Sequence, residues 1–214
     1  MELLLTSNGE HINTHCSTLG RCSDRLSDKG IQDSLRLAKA LEREKIDFIF
    51  CSDIGFRRTT ADLIVEQLKS SRFQIIVDSR IREKGAEICS HLTKETFEKA
   101  GESDPEQAKI LSRLFIKTDS VVHTPGTEES DDQLRSRSAD FLNELSKTYP
   151  SDATLLVIGN PIFNSFFISL LKGESTREFQ YLAPACALSR FRFRGGRREI
   201  LSINQIDHLR GMKS

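Results

Sequence analysis

The sequence has no excess of either charge and no long apolar run. Lys and Arg total 31, and Asp and Glu also total 31. Domains that bind nucleic acid or an anionic membrane surface usually carry a basic excess, so the charge balance supports neither partner. No apolar stretch approaches the roughly 20 residues of a membrane-spanning helix, and no basic-then-apolar leader opens the chain. We therefore expect a cytoplasmic protein, the nucleus not being excluded, with no nucleic-acid or membrane partner.

Disulfide signatures are lacking as well. The five cysteines are Cys16, Cys22, Cys51, Cys89 and Cys186. An odd number without a close pairing motif favours reduced thiols. His11 and His15 lie near the first two cysteines, so a metal cluster is the alternative, but the spacing matches no standard zinc pattern. We expect a polar loop here, with no metal and no cofactor.

Apolar runs and helical patterns alternate along the 214 residues, a length that suits one domain covering 1–214. Strands are predicted over 3–6, 48–51, 73–77 and 154–158. Helices are predicted after a Ser27 cap, over 57–68, over 131–146, and from Pro161 to a Gly173 end. This alternation predicts an α/β fold, a three-layer α/β/α sandwich around a mostly parallel sheet, with the strands near Leu4 and Val157 adjacent at its centre.

Two segments depart from the alternation. The stretch over about 87–124 is polar and helical with no sheet partner, which predicts an inserted helical flap over one end of the sheet. Runs over 188–193 and 198–203 flank Gly195-Gly196, which predicts an antiparallel hairpin at the sheet edge.

The first strand leads into a polar turn, Ser7-Asn8-Gly9-Glu10. Ligands of open α/β sheets bind at the carboxyl ends of the strands, so this turn is the first candidate site. Its position resembles the Arg-His-Gly-Glu signature of the histidine phosphatase (phosphoglycerate-mutase-like) superfamily. Further segments resemble that family in the same order: Gly20, Asp24, Leu26-Ser27, Gly30, Cys51-Ser52-Asp53-Ile54, Thr60-Ala61, Arg80-Ile81-Arg82-Glu83, Pro125-Gly126, Glu129-Ser130 and Val157-Ile158-Gly159-Asn160. The segments 78–83 and 204–209 are most similar to fructose-2,6-bisphosphatase-like (TIGAR-like) members.

The resemblance implies a phosphoryl-accepting histidine, a second histidine, two arginines that clamp the phosphoryl group, and a glutamate that donates a proton. Aligned by motif, the four cationic or nucleophilic positions hold Ser7, Asn8, Phe56 and Asn160. An amide nitrogen is a very poor nucleophile, so Asn8 cannot replace the imidazole.

Other pocket positions keep family-like residues. Glu83 stands where the family has its proton donor, and Gly9, Glu10, Ser52 and Glu129 complete the set. Without arginines, these glutamates leave the pocket neutral to acidic, and a small-molecule phosphate ligand is not expected.

Three neighbouring side chains are candidates for compensation. Arg57 and Arg58 flank Phe56, but successive helical residues point about 100° apart, so a return to the pocket requires a register shift. His11 and His15 lie just downstream of Asn8. His123 lies much later in the chain, beside Pro125. For these histidines a solvated loop position is the favoured interpretation.

The coordinated loss of all four positions favours a pseudophosphatase that acts as a protein-binding, scaffold or regulatory module with a protein partner. Loss of one member of a catalytic unit removes most of its rate, so we lean towards no enzymatic activity. The alternative is a residual or altered sugar-bisphosphate phosphatase that uses the same cavity.

Overall fold

Two adjacent parallel strands, β1 (Glu2–Ser7) and β4 (Thr154–Gly159), form the centre of the sheet. The computed structural model describes residues 1–12, 25–52, 55–68, 75–84, 129–174 and 180–210, with Gly55 and Phe56 described in their backbone only. Leu5 pairs with Val157 and Ser7 with Gly159. The predicted adjacency of these two strands is therefore confirmed, and both strands end at the same edge.

The described sheet has six strands in the order β3-β2-β4-β1-β5-β6. On one side of the centre lie β2 (Phe48–Cys51) and β3 (Ile75–Val77). β2 pairs in parallel with β4, and β3 pairs in parallel with β2. On the other side, β5 (Leu188–Arg194) runs antiparallel to β1, and β6 (Arg197–Gln205) returns beside it around Gly195-Gly196. The mostly parallel sheet and the edge hairpin are both confirmed.

Helices cover both faces of the sheet, because successive strand residues point to opposite faces. Leu4 faces α1 (Asp28–Leu41) and α2 (Gly55–Leu68). Leu3 and Leu5 face α3 (Asp131–Thr148) and α4 (Pro161–Lys172), which bring a cluster of phenylalanines, Phe141, Phe163, Phe166 and Phe167. The three-layer α/β/α fold is therefore confirmed.

The helix ends follow the predicted chemistry. The Ser27 hydroxyl accepts a hydrogen bond from Gly30 N at 3.0 Å and caps α1. Gly173, with φ of 72°, ends α4 in the left-handed conformation that glycine adopts at low cost. Among the described residues, no helix is both long and apolar enough to cross a bilayer. The expected flap over 87–124, which includes His123, lies outside the described residues. Cys16, Cys22 and His15, near the start of the chain, lie outside them too.

Candidate active site

The carboxyl ends of β1, β2 and β4 meet at one edge of the sheet, where the sequence predicted the site. Asn8 follows β1, Ser52 follows β2, and Asn160 follows β4; all three are buried. The Asn8 backbone N–H donates to the Gly159 carbonyl at 3.3 Å, which joins two of these strand ends.

The Gly9-Glu10 turn is packed tightly against α1. A Cβ on Gly9 would lie 2.6 Å from both Gly30 O and the Ser34 hydroxyl, and Gly9 N donates to Thr60 Oγ1 at 3.1 Å. Glu10 Oε1 accepts a hydrogen bond of 2.7 Å from the Ser27 hydroxyl at the helix start. The two signature residues therefore fix the turn to α1 and α2.

Asn160 is fully buried, and both ends of its amide are occupied. Its Oδ1 accepts from Phe163 N at 2.9 Å and caps α4, while its Nδ2 donates to the Ile81 carbonyl at 3.1 Å. Asn-Pro at a helix start is a capping pattern, so this role is readable from the sequence. The Asn160 side chain therefore joins the start of α4 to the backbone of Ile81.

Arg57 lies beside Glu83. Its side chain is 5% exposed, that of Glu83 is 12% exposed, and Arg57 Nη2 lies 3.8 Å from Glu83 Oε2. A long, flexible side chain of this kind covers a direction that its Cα alone does not predict. A guanidinium therefore lies beside the carboxylate at the family's proton-donor position, and Arg57 stays a candidate for compensation.

Arg58 and His11 lie differently. Arg58 is exposed and pairs with Asp62 one turn along α2, at 2.9 Å. The backbone of half-buried His11 forms an antiparallel bridge with Leu26, which ties the turn to the start of α1. Phe56 lies in α2, and its side chain is outside the described part.

Burial raises the pKa of the Glu83 carboxyl from 4.5 to about 7. Arg57 opposes this shift most strongly, followed by the backbone N–H groups of Phe163 and Lys84 and by Arg137. Desolvation dominates because the charged form loses more hydration than these neighbours return. At neutral pH both forms of Glu83 are populated, which suits a group that gives up and takes back a proton.

Asn8 presents an acceptor. Its Nδ2 donates to the Gly9 carbonyl at 2.8 Å, while the buried Oδ1 accepts no hydrogen bond from the described part of the chain. Buried polar atoms are normally satisfied, so this oxygen is suited to a water or a ligand donor.

Ser7 borders a small cavity at the end of β1. Its hydroxyl donates to the Pro184 carbonyl at 3.4 Å. Asn164, Ser189 and Asn204 also line this cavity, which has room for about one water molecule.

Glu129 does not stand alone, because Arg137 of α3 forms a two-point ion pair with it. The same guanidinium donates to the carbonyls of Arg80, Arg82 and Glu83. Arg137 was not among the predicted site residues, since no local pattern links it to a segment more than 50 residues earlier. The expected excess of acid is therefore offset by two arginines, Arg57 and Arg137.

A family profile matches the amino-acid sequence of this chain. Residues 9–206 match the histidine phosphatase superfamily (branch 1). The chain belongs to the histidine phosphatase superfamily. Its predicted family resemblance is confirmed at that level.

Individual proteins are similar to this chain in sequence or in fold. A metal-independent phosphoserine phosphatase of Arabidopsis thaliana is 22% identical over 176 residues, which cover 81% of this chain and 70% of that protein. A mycobacterial glucosyl-3-phosphoglycerate phosphatase solved with VO3 has a TM-score of 0.72 at 17% identity, over 95% of this chain and 98% of that one. A histidine-to-alanine mutant of the Entamoeba histolytica phosphoserine phosphatase, solved with phosphoserine, has a TM-score of 0.70 at 19% identity, over 97% and 98%.

These comparisons correct the main functional expectation. The sequence favoured a catalytically inactive scaffold, but the three similar proteins described above are all named as phosphatases. That interpretation is therefore wrong on this comparison, and the alternative, a residual or altered phosphatase, is the better supported of the two.

Proposed function

We propose that the chain is a phosphate-monoester hydrolase with altered chemistry, in which Arg57 binds the phosphoryl group and Glu83 transfers a proton. The observation that carries this proposal is the buried Arg57–Glu83 pair beside the carboxyl ends of the parallel strands. Enzymes tune a carboxyl for proton transfer by burial and a charged neighbour, as here. The names of the relatives support the reaction class.

Replacement of the family's nucleophile is part of the same proposal. Asn8 stands at the position of the phosphoryl-accepting histidine, and its amide cannot form a phosphoenzyme. The phosphoryl group then passes directly to water. The Entamoeba histolytica mutant supports the view that this fold holds a phosphate ester without one of its histidines.

As the ester P–O bond breaks, protonated Glu83 gives its proton to the leaving oxygen, and the product is an alcohol. A water oxygen forms the new P–O bond on the opposite side of phosphorus, in line with the leaving oxygen. One proton of this water is lost to solvent, which leaves hydrogen phosphate, and Glu83 regains its proton from solvent. Asn8 Oδ1 is suited to hold this water, and Arg57 neutralises charge on the phosphoryl oxygens.

We infer that the site binds a phosphate group, although no phosphate ligand is expected from the sequence alone. That expectation assumed a pocket without a guanidinium, whereas Arg57 is buried and lies against Glu83. Protonation of Glu83 below neutral pH removes the negative charge beside Arg57, so the site becomes more positive when Glu83 holds the proton that it donates.

Substrate preference is a further part of the proposal. The resemblance of 78–83 and 204–209 to TIGAR-like members suggests fructose-2,6-bisphosphate. In the structure, however, Asp78 caps a short 3-10 turn by accepting from Arg80 N at 2.8 Å, and His208 Nε2 lies 2.9 Å from the Cys186 carbonyl. These contacts support the fold, so phosphoserine and sugar phosphates are tested together.

The test compares leaving groups. Phosphate release is measured from phosphoserine, fructose-2,6-bisphosphate and p-nitrophenyl phosphate with wild type, Glu83→Gln, Arg57→Met and the surface control Arg58→Met. Alkyl esters need a proton at the leaving oxygen, whereas the nitrophenolate needs little help. We therefore expect Glu83→Gln to lower alkyl-ester turnover by about 10²-fold and p-nitrophenyl phosphate turnover much less.

Arg57→Met should raise KM for every substrate, because it removes the charge-assisted contact to phosphate. Arg58→Met should behave as wild type, since Arg58 pairs with Asp62 on the surface. Equal loss of all three substrates in Glu83→Gln would contradict the proton-donor role, and no effect of Arg57→Met would contradict the phosphate contact.

A further inference from the structure

Arg137 connects three segments around the candidate site. Its side chain is 19% exposed and forms the two-point ion pair with Glu129. It donates to the Arg82 carbonyl at 3.0 Å, to the Glu83 carbonyl at 3.4 Å, and to the Arg80 carbonyl. Its guanidinium carbon also lies 6.0 Å from the centre of the Phe163 ring on α4.

We propose that Arg137 is a positioning residue that holds Glu83 against Arg57 by fastening the main chain of residues 80–83. This inference rests on the proposed function, in which Glu83 donates the proton. Arg137 acts through the backbone, and Glu129 acts through Arg137 by fixing the orientation of its guanidinium.

The donor geometry explains why an arginine serves here. A guanidinium presents five N–H donors in a rigid plane. Two of them can bind a carboxylate while the others donate to backbone carbonyls. A lysine keeps the charge but replaces this fork with a compact ammonium on a flexible stem. Small displacements of a catalytic group are costly to rate, so the hold on this backbone bears directly on turnover.

Other contacts hold the same segment from different sides. Asn160 Nδ2 donates to the Ile81 carbonyl, and Lys84 pairs with Asp131 at the start of α3. The charged groups that act on Glu83 are Arg57 from α2 and Arg137 from α3, with the backbone N–H groups of Lys84 and Phe163. Arg137 contacts both the Glu83 main chain, from a distant segment, and a second acidic residue, Glu129.

The test needs no catalytic activity. Glu83→Gln mimics the protonated carboxyl, so at pH 8 it should raise Tm while Glu83 is held in its buried place. We measure this Tm gain in wild type, Arg137→Lys, Arg137→Met and Glu129→Gln, with Arg58→Lys as the matched control.

If Arg137 positions Glu83, its loss lets the carboxyl reach water, so the Tm gain from Glu83→Gln should fall to less than half in Arg137→Lys and Arg137→Met. Glu129→Gln should give a smaller fall, and Arg58→Lys none. If Arg137 acted only through its charge, Arg137→Met would raise the gain, because the pKa of Glu83 would rise further, and Arg137→Lys would preserve it. An unchanged or larger gain would therefore overturn the proposal.

Turnover provides the second readout. A positioning role predicts that Arg137→Lys lowers kcat on phosphoserine with KM unchanged, because Arg57 still binds the phosphoryl group. A rise in KM at constant kcat would contradict it. Absence of phosphate release from wild type would contradict the proposed function, and the Tm comparison would still decide whether Arg137 positions Glu83.

Discussion

Replacement of Glu83 by Gln should stabilise the protein above neutral pH. Burial raises the pKa of this carboxyl from 4.5 to about 7, so the folded state binds the proton more tightly than the unfolded chain does. Stability from this group is fully present below pH 4.5 and is lost as pH rises through about 7. Glutamine stays neutral throughout and escapes that loss.

The expected size follows from the shift. At about 1.4 kcal/mol for each pH unit, a rise of the pKa from 4.5 to about 7 means that the folded protein loses about 3.5 kcal/mol from this group by pH 8. For a chain of this length, 1 kcal/mol corresponds to roughly 2–4 °C in Tm, which makes the expected gain about 7–14 °C.

Thermal unfolding at pH 4.5 and pH 8 measures this gain. We expect wild type and Glu83→Gln to unfold at similar temperatures at pH 4.5 and to separate at pH 8. The exposed residue Glu66 on α2 supplies a matched control, since Glu66→Gln should give no pH-dependent separation. A Glu83→Gln variant that is no more stable than wild type at pH 8 would refute the account of Glu83 as a buried carboxyl with a raised pKa.

Three further predictions concern the same site. Asn160→His removes the α4 cap and the bond to the Ile81 carbonyl, so it should lower the free energy of unfolding by about 1–3 kcal/mol in urea; an unchanged midpoint would contradict the assigned role. Gly30→Ala places a Cβ 2.0 Å from the Glu10 carbonyl oxygen, a backbone atom, so it should cost more than about 2 kcal/mol, and a wild-type Tm would show that the turn is not packed as described. Turnover of alkyl phosphates should fall as pH rises through about 7, where Glu83 loses its proton; a rate that increases over that range would assign Glu83 to a base role.

The sequence predicted the fold well because the apolar runs of the parallel strands are long and regular. β1 and β4 are buried on both faces, which gives continuous runs of Leu, Val and Ile rather than an alternating pattern. The Ser27 and Gly173 helix ends and the hairpin at Gly195-Gly196 were readable because each rests on local backbone chemistry.

The site was harder to predict because its contacts depend on side-chain reach. Arg57 approaches Glu83 along a direction that helical spacing alone does not give. Arg137 recognises backbone carbonyls, which have no sequence signature. The functional interpretation gave most weight to four replaced positions, and the phosphatase names of the relatives contradict it. The expected protein partner stays a prediction.

Phosphate release from phosphoserine at pH 6 and pH 8 tests the central claim most directly, with wild type compared against the Arg57→Met/Glu83→Gln double variant purified in the same way. The account predicts saturable release by wild type that is faster at pH 6 and is lost in the double variant. Release at the same rate by both proteins, or by neither, would contradict it.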